Sequence, residues 1–329
     1  MGDYVVAVDL GGTQIRAALC DRSGALLRRA STLTAAAEGP ERVISRIEDS
    51  INEVLAGVRG SQVLGIGLGA PGTVNPWTGV ITNATNIPGL TDWPARDYLV
   101  QRFKVPSFIG NDANLAALGE FRFGAGKGTE TLVYVTISTG IGGGVIERGR
   151  LYLGARGWAA ELGHIIVEPD GPVCGCGGRG CLEALAAGPA IAREARARLR
   201  AGASSSLLAM VDGRLDLIRS QEVVAAARSG DCVALEVMER AALYIGIGMV
   251  TFIHAFDPQK IIVGGGVSKA GDLLLSTARA VVAERAMTEE WKRTPIELAQ
   301  LGDDVGLLGA AALVLTESGS FSQKQDRSA

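Results

Sequence analysis

The chain has 329 residues, of which 47% are hydrophobic and 20% charged, and its formal net charge is −3. A chain of this length and composition can bury two hydrophobic cores, which excludes global disorder. The slight net acidity argues against a broad nucleic-acid-binding surface or an anionic-membrane surface. Apolar runs stay below about 18 residues, and the start lacks the features of a signal peptide. We therefore expect a cytoplasmic protein with no nucleic acid and no membrane among its partners.

The first half of the chain predicts strands and then helices. Residues 4–10 and 14–21 predict a β-hairpin around a glycine turn, and residues 25–32 predict a third strand. Residues 40–58 place apolar side chains at helical spacing, with a proline in the first turn. Further strands are expected at 63–72 and 105–110, and further helices at 94–103 and 111–121.

The second half begins with the same pattern. Residues 130–138 predict a strand, 139–144 form a glycine turn, and 144–152 predict a hairpin. This repetition indicates a duplicated fold with a cleft between its halves. A strand is also expected within 257–268, the end of the chain is polar, and residues 203–219 yield no assignment. Helices are expected at 181–188, 189–202, 220–230, 231–256, 272–286 and 304–319.

Three glycine-rich junctions follow predicted strands, at Asp9–Thr13, Ser138–Gly144 and Gly264–Gly266. Backbone amides without side chains above them can approach phosphate oxygens closely, so three such turns favour phosphate binding. A carboxylate at Asp9 could hold Mg²⁺ through water against a phosphate, or it could merely cap the turn. Neither the P-loop motif nor a dinucleotide-binding frame is present, so a nucleotide would have to bind in another architecture.

Polar side chains that suit catalysis follow the predicted strand at 105–110. Asn111 and Asp112 could be helix N-caps, yet an ionised Asp112 at a helix start could also accept a proton from a hydroxyl. Glu161 and His164 lie three residues apart, and Glu183 follows a cluster of cysteines. The second histidine of the chain, His254, lies in an apolar helix, and we expect it to be a core histidine.

Three of the five cysteines, Cys174, Cys176 and Cys181, lie within eight positions and are interspersed with glycines. In a reducing compartment such a cluster is more often a metal site or catalytic than a disulfide. Three thiols fall one short of the four ligands of a structural zinc ion. A disulfide with one spare thiol and a redox pair are the alternatives.

These motifs together resemble one family. "DLGGT", "GAPG", "GNDAN", "STGIGGG", "ELGH", "CGCGGRGCLE" and "IIVGGGVS" occur in the order and spacing typical of the ROK family of bacterial sugar kinases and repressors, across about residues 4–315. The resemblance implies an α/β, actin-like fold of the hexokinase and ribonuclease H type, with two α/β domains around a cleft. It implies a small domain of residues 1–115 with 300–318, a large zinc-containing domain of residues 116–299, and a polar tail at 319–329.

The resemblance also implies roles for particular residues. Asp112 would be the general base. The residues that would bind the sugar hydroxyls are Asn111, Asp112, Glu161, His164 and Glu183. Those that would bind the nucleotide and its Mg²⁺ are Asp9, Gly11, Gly12, Thr13, Thr139, Gly140, Gly265 and Gly266. The ligands of a structural Zn²⁺ would be His164, Cys174, Cys176 and Cys181.

The activity implied is transfer of the ATP γ-phosphate to the 6-hydroxyl of a sugar. The similarity is greatest to the glucose kinases of the family. Fructose, mannose, N-acetylmannosamine, N-acetylglucosamine and a polyphosphate donor stay open. A sugar-responsive repressor is the alternative from another class, but we expect the first strand at Tyr4 to leave no room for a helix-turn-helix. Relatives of this kind imply a homodimer or homotetramer.

One position departs from the family pattern. Many members have Ala-Gly-Glu before "LGH", whereas this chain has Ala159, Ala160 and Glu161. We expect the extra methyl group of Ala160 to have a slight effect on loop packing.

Overall fold

The computed structural model describes residues 3–325, and the side chains up to residue 318. Strands and helices alternate through most of the chain, which confirms the α/β class. Among the helices of the described residues, none is both long enough and apolar enough to cross a membrane. The chain divides into two compact units: unit 1 contains the residues up to Gly128, Arg150–Ala160 and the chain from Gln300, and unit 2 contains Thr129–Gly149 and Glu161–Ala299.

The strands are β1 (Tyr4–Leu10), β2 (Gln14–Asp21), β3 (Leu26–Leu33), β4 (Val63–Ala70), β5 (Thr73–Asn75), β6 (Val80–Asn83), β7 (Thr91–Trp93), β8 (Ser107–Asn111), β9 (Leu132–Ile137), β10 (Ile141–Glu147), β11 (Arg150–Leu151), β12 (Lys260–Gly264) and β13 (Ile296–Leu298). The helices are α1 (Pro40–Leu55), α2 (Ala95–Phe103), α3 (Asp112–Phe123), α4 (Leu182–Ala186), α5 (Gly188–Arg200), α6 (Leu207–Met210), α7 (Ser220–Arg228), α8 (Cys232–Phe256), α9 (Asp272–Arg285) and α10 (Val305–Gln325). The longer strands and helices lie where the sequence predicts them. The short strands β5, β6, β7 and β13 were not predicted, because three or four residues are too few to show a periodicity.

The main sheet of unit 1 has the order β3-β2-β1-β4-β8. β1 pairs antiparallel with β2 and parallel with β4, and β4 pairs parallel with β8. Helix α10 packs closely on this sheet and on α3. A Cβ on Gly67 would lie 2.1 Å from the carbonyl oxygen of Ala310, and one on Gly309 would lie 2.1 Å from that of Leu115. The glycines of β4 and α10 therefore allow these backbones to touch.

The sheet of unit 2 repeats this arrangement. Its strands run in the order β10-β9-β12-β13, with β9 antiparallel to β10 and parallel to β12, and β12 parallel to β13. The sequence shows the pattern of strand, glycine turn and strand twice. In each unit this pattern forms the equivalent antiparallel pair of the sheet, β1–β2 in unit 1 and β9–β10 in unit 2. The predicted duplication is confirmed.

The expectation that His254 is a core histidine is wrong. His254 is exposed near the end of α8. Its Nε2 accepts a hydrogen bond from the Met287 amide (3.1 Å), and its ring lies 5.2 Å from that of Trp291. The helix rotates this side chain away from the apolar face that the neighbouring residues form, so composition alone misplaces it.

Two regions without a clear sequence signal also have regular structure. Residues 203–219 contain the single turn of α6 and a short 3₁₀ turn at Leu215–Leu217. Helix α10 continues to Gln325, through the first part of the segment expected to be a polar tail. Residues 326–329 of that tail lie outside the described residues.

Candidate functional site

The first glycine turn, Gly11–Thr13, is closed by hydrogen bonds from both sides. The Gly11 amide donates to the carbonyl of Gln14 (2.9 Å), and the Thr34 amide donates to the carbonyl of Thr13 (2.8 Å). The Thr34 hydroxyl donates to the carbonyl of Gly11 (2.6 Å). Among the described residues, the amides of Gly12 and Thr13 have no such partner. Two adjacent amides are therefore free to bind an anion.

Asp9, at the end of β1, is already paired. Its carboxylate forms an ion pair with Arg16 of β2, which also donates to the carbonyl of Asp303. A Cβ on Gly306 would lie 2.6 Å from Oδ2 of Asp9, so the carboxylate faces the first turn of α10. Only 13% of the Asp9 side chain is exposed. A cation at this carboxylate therefore has little room for direct contact, which fits contact through water. The sequence reasoning missed Arg16, although an arginine seven residues after an aspartate in a tight hairpin lies nearly opposite it.

Asn111 and Asp112 differ in their contacts: Asn111 is bonded within the protein, and Asp112 is exposed. Asn111 is the N-cap of α3: its Oδ1 accepts from the amides of Ala113 (3.0 Å) and Asn114 (3.2 Å). Its Nδ2 donates to the carbonyl of Gly72 (3.0 Å), which ties the helix start to the loop after β4. Asp112 is exposed and accepts from the Ala113 amide (2.8 Å). The capping alternative thus describes Asn111, and Asp112 lies in the first turn of α3, at the positive end of the helix dipole.

These groups meet because three parallel strands end together. In the register of the sheet, Asp9 is paired with Gly69, Gly69 with Gly110, and Ala70 with Asn111. The carboxyl ends of β1, β4 and β8 are therefore neighbours, which is where ligands bind in open α/β sheets. Unit 1 brings Asp9, the first glycine turn and the Asn111–Asp112 pair to one edge.

The second glycine turn, in unit 2, lies beside the third glycine junction. The Ser138 amide donates to the carbonyl of Gly140 (2.8 Å), which leaves Thr139 exposed at the tip. Gly265 has φ +87°, and a Cβ there would lie 2.4 Å from the carbonyl oxygen of Ile137. A Cβ on Gly266 would lie 3.8 Å from the Ser138 hydroxyl. The second and third glycine junctions, which were both predicted to bind the nucleotide, thus form one surface at the ends of β9 and β12.

Glu183 holds this second turn from the other side. Its Oε2 accepts from the Ile141 amide (2.9 Å), and a Cβ on Gly140 would lie 2.5 Å from the same oxygen. Its Oε1 lies 3.7 Å from Sγ of Cys174. Gly140 therefore needs to lack a side chain because the carboxylate occupies that space. Glu183 connects the cysteine cluster to the glycine turn.

His164 ends a 3₁₀ turn, Leu162–His164, which packs on β10, and Glu161 is the residue directly before this turn. The His164 amide donates to the carbonyl of Glu161 (3.0 Å). A Cβ on Gly163 would lie 1.8 Å from the carbonyl oxygen of Ile141, so the two backbones are in direct contact. Ile141 thus contacts Glu183 through its amide and the Glu161–His164 turn through its carbonyl. The sequence offered no signal for this role of Ile141 beyond its position after the glycine turn.

The structure brings His164, Cys174, Cys176 and Cys181 together. Their ligand atoms all lie within 4.8 Å of one another. Sγ of Cys174 lies 3.7 Å from Nδ1 of His164, and Sγ of Cys176 lies 3.7 Å from that of Cys181. Tetrahedral zinc with sulfur ligands at about 2.3 Å separates those ligands by about 3.8 Å, so the arrangement fits a zinc ion.

The thiols of this cluster differ in acidity. Burial raises the pKa of the Cys181 thiol to about 12 and also raises the pKa of Cys174. The Gly178 amide donates to Sγ of Cys176 (3.4 Å) and lowers the pKa of that thiol. A bound metal ion would therefore have to displace protons from the two buried thiols.

Ala160, immediately before Glu161, has a left-handed backbone with φ +67°. Glycine adopts this conformation freely, whereas an L side chain is strained there. The expected slight effect of its methyl group on loop packing stays a prediction, and the structure adds backbone strain at the residue before Glu161.

Comparisons with known proteins agree with the motifs. The family model of the ROK family matches residues 5–317. The glucokinase of Halalkalibacterium halodurans is 36% identical over 97% of this chain and 97% of its own. The structure of a ROK family glucokinase from Streptomyces griseus in complex with glucose and AMPPNP is 38% identical, has a TM-score of 0.80, and covers 94% of this chain and 98% of its own.

A further solved structure, the ROK hexokinase from Thermus thermophilus, is 38% identical, has a TM-score of 0.81, and covers 96% of this chain and 99% of its own. Nearly the whole chain therefore shares the actin-like fold that the resemblance implied. The chain belongs to the ROK family.

Proposed function

We propose that this protein is an ATP-dependent kinase that phosphorylates the 6-hydroxyl of glucose. The observation that carries the proposal is the exposed Asp112 carboxylate at the start of α3, beside a fixed Asn111. Similar proteins of nearly the same length are glucokinases, and one of them was crystallised with glucose and an ATP analogue. Geometry and similarity therefore favour the same chemistry.

Asp112 acts as the general base. Its carboxylate accepts the proton of the sugar 6-hydroxyl as that oxygen attacks the γ-phosphorus of ATP. The new O–P bond forms as the bond from the γ-phosphorus to the bridging oxygen breaks, and ADP leaves with the electron pair. Positioning and charge neutralisation dominate such transfers, so the placement of the base matters more than its strength.

The sugar hydroxyls are bound by Asn111, Asp112, Glu161, His164 and Glu183. His164 suits this role because its Nδ1 faces the cysteine cluster, which leaves Nε2 for a hydroxyl. Glu183 is fixed by the Ile141 amide, so its orientation is set before a sugar arrives. A site built from such polar groups rejects analogues that lack a matching hydroxyl.

The nucleotide is bound by the three glycine junctions. The phosphates lie against Gly11, Gly12, Thr13, Thr139 and Gly140, and the adenosine lies against Gly265 and Gly266. Mg²⁺, when bound, neutralises phosphate charge, and Asp9 would contact it through water. Arg16 holds the Asp9 carboxylate in place for this role.

A structural zinc ion would be held by His164, Cys174, Cys176 and Cys181. Its contribution would be to order the loop that leads into α4 and Glu183, and to select the tautomer and orientation of His164. The proton-transfer step itself requires no metal at this position.

A coupled kinase assay tests the proposal. ATP and polyphosphate are offered as donors, with glucose, fructose, mannose, N-acetylglucosamine and N-acetylmannosamine as acceptors. We expect the highest kcat/KM for ATP with glucose. A higher kcat/KM with an N-acetylhexosamine, or turnover with polyphosphate alone, would replace the proposed substrate or donor.

A further inference from the structure

The backbone of the loop between β6 and β7 is anchored on both sides of Asn86, an exposed residue. The Ala84 amide donates to the carbonyl of Leu90 (3.1 Å), that of Ile87 to Ala84 (2.9 Å), and that of Leu90 to Ile87 (3.1 Å). Ala84, Ile87 and Leu90 are each 2% exposed or less. The buried anchors and the backbone bonds therefore set the position of Asn86, and its own side chain is not needed for this.

Asn86 lies directly over the first glycine turn. A Cβ placed on Gly12 would lie 2.8 Å from Cβ of Asn86 and 3.4 Å from its Nδ2. The backbone of Gly12 does not have a positive φ, so its conformation does not require glycine. The close approach of Asn86 does require it, because any side chain on Gly12 would displace the carboxamide.

The carboxamide of Asn86 is not used within the protein. It is exposed, and among the described residues it makes no hydrogen bond. Arg16, the cation on the strand that leaves the turn, is already paired with Asp9. The amides of Gly12 and Thr13 are free on the same turn. The turn therefore offers two backbone donors and one side-chain donor carried by an anchored backbone, and all three are neutral.

We propose that Nδ2 of Asn86 donates a hydrogen bond to the phosphoryl group that is transferred, as its oxygens enter the turn of Gly11–Thr13. Asn86 is thus a further catalytic residue, and it completes the anion site of unit 1 without adding charge. Fixed donors aimed at phosphoryl oxygens are an effective means of stabilising the charge of such a transition state. This inference rests on the proposed phosphoryl transfer from ATP.

Two nearly isosteric variants test the role of Asn86. N86L keeps the volume over Gly12 but removes the donor, and N86D also adds a negative charge. We expect N86L to lower kcat/KM for ATP by about 10- to 100-fold, because a hydrogen bond to a charged group is lost. N86D should lose on the order of tenfold more through repulsion of the phosphates. KM for glucose should stay within about twofold in both.

The matched control is Asn52, an exposed asparagine on α1. N52L and N52D make the same chemical changes away from the turn and should leave the kinetics unchanged. Melting temperatures establish that all four variants are folded. Wild-type kcat/KM for ATP in both N86L and N86D would overturn the proposal and reduce Asn86 to a packing residue.

A binding measurement separates this proposal from the proposed function. Calorimetric titration with AMPPNP and Mg²⁺ should show weaker binding to N86D than to N52D, whichever sugar the enzyme accepts. A wild-type protein inactive on glucose but showing this difference would contradict only the assigned sugar. Equal AMPPNP affinity in N86D and N52D, in a wild type active on glucose, would contradict only the role of Asn86.

Discussion

The two units contain equivalent glycine turns that are stabilised by different means. In unit 1 the turn Gly11–Thr13 is closed by Gln14, the first residue of β2, and by Thr34, directly after β3. In unit 2 the turn Ser138–Gly140 is held by the Glu183 carboxylate, which comes from the first turn of α4, directly after the cysteine-rich loop. The duplicated sheet accounts for the position of both turns, and the segments inserted around each sheet account for their different chemistry.

The two turns also have different neighbours. The first turn lies beside Asp112 at the ends of parallel strands, with Asp9, Arg16 and Asn86 as its polar neighbours. Ile141, directly after the second turn, contacts both Glu183 and the Glu161–His164 turn. We therefore expect changes near the first turn to affect turnover and ATP, and changes near the cysteine cluster to affect glucose more than ATP.

The largest effect is expected from Asp112→Asn. The amide cannot accept the proton of the sugar hydroxyl, and general bases contribute about 10²- to 10⁴-fold. The coupled assay should show kcat reduced by that factor, with glucose still binding in calorimetry. A kcat within about threefold of wild type would remove Asp112 from the role of base.

A smaller effect is expected from Arg16→Ala. Removing the arginine leaves the Asp9 carboxylate, only 13% exposed, without its partner beside the incoming phosphates. KM for ATP should rise about tenfold, whereas glucose affinity should not change. Arg29→Ala is the matched control: it removes a more exposed ion pair with Asp304 in the same unit, and pairs of this kind contribute little. Equal effects of the two variants on KM for ATP would contradict the assigned role.

Asp231 tests whether a loss of stability in unit 2 is enough to impair glucose binding. Burial alone would raise the pKa of Asp231, but hydrogen bonds from the amides of Ala234 and Ser206 and from the hydroxyls of Ser205 and Ser206 hold it at about 2. The unfolded value is about 3.9, so this stabilisation is present above pH 4 and is lost as the pH falls through 2.

Asp231→Ala removes the N-cap of α8 and should lower the free energy of unfolding by about 1–2 kcal/mol at neutral pH. The difference from wild type should shrink as the pH approaches 2, as followed by denaturant unfolding. The free energy of unfolding of Asp231→Asn, which keeps a capping oxygen, should lie between those of wild type and Asp231→Ala. The affinity of Asp231→Ala for glucose at neutral pH should not change. A tenfold loss of affinity would mean that lower stability of unit 2 is enough to impair glucose binding.

The smallest effect is expected from Ala160→Gly. Glycine relieves the left-handed strain at φ +67°, which is worth about 1–2 kcal/mol, but it also gains entropy in the unfolded chain. The net result should be a gain of about 1 kcal/mol or less, seen as a small rise in melting temperature. Ala159, the preceding residue, has no positive φ, so Ala159→Gly should instead lower the melting temperature. A lower melting temperature in both variants would contradict the backbone strain inferred at Ala160.

Much of this arrangement could be predicted from the sequence. The hairpin around Gly11 and Gly12 and its repeat around Gly140 follow from apolar runs that end in glycine, and both were found as expected. The cysteine spacing suggested a metal site that lacked a fourth ligand, and only the family resemblance pointed to His164. A ligand ten residues away in another turn has no periodic signature, so spacing alone could not identify it.

Other features depend on contacts that periodicity does not encode. Asn86 reaches Gly12 through a loop closed by short strands, and Ile141 connects Glu183 with Gly163 through its backbone. His254 was misplaced because one turn of a long apolar helix faces away from the core. In each case tertiary contacts, rather than local preference, determine the role of the residue.

The central claim is that the cysteine cluster serves the sugar while the first turn serves the phosphate. Steady-state kinetics of the protein before and after zinc removal by a chelator, with zinc measured in each sample, tests this most directly. We expect KM for glucose to rise about 10- to 100-fold on zinc loss, and KM for ATP to rise clearly less, through the contact of Glu183 with the second turn. Equal changes in both constants, or unchanged glucose kinetics in a protein that has lost its zinc, would contradict the account.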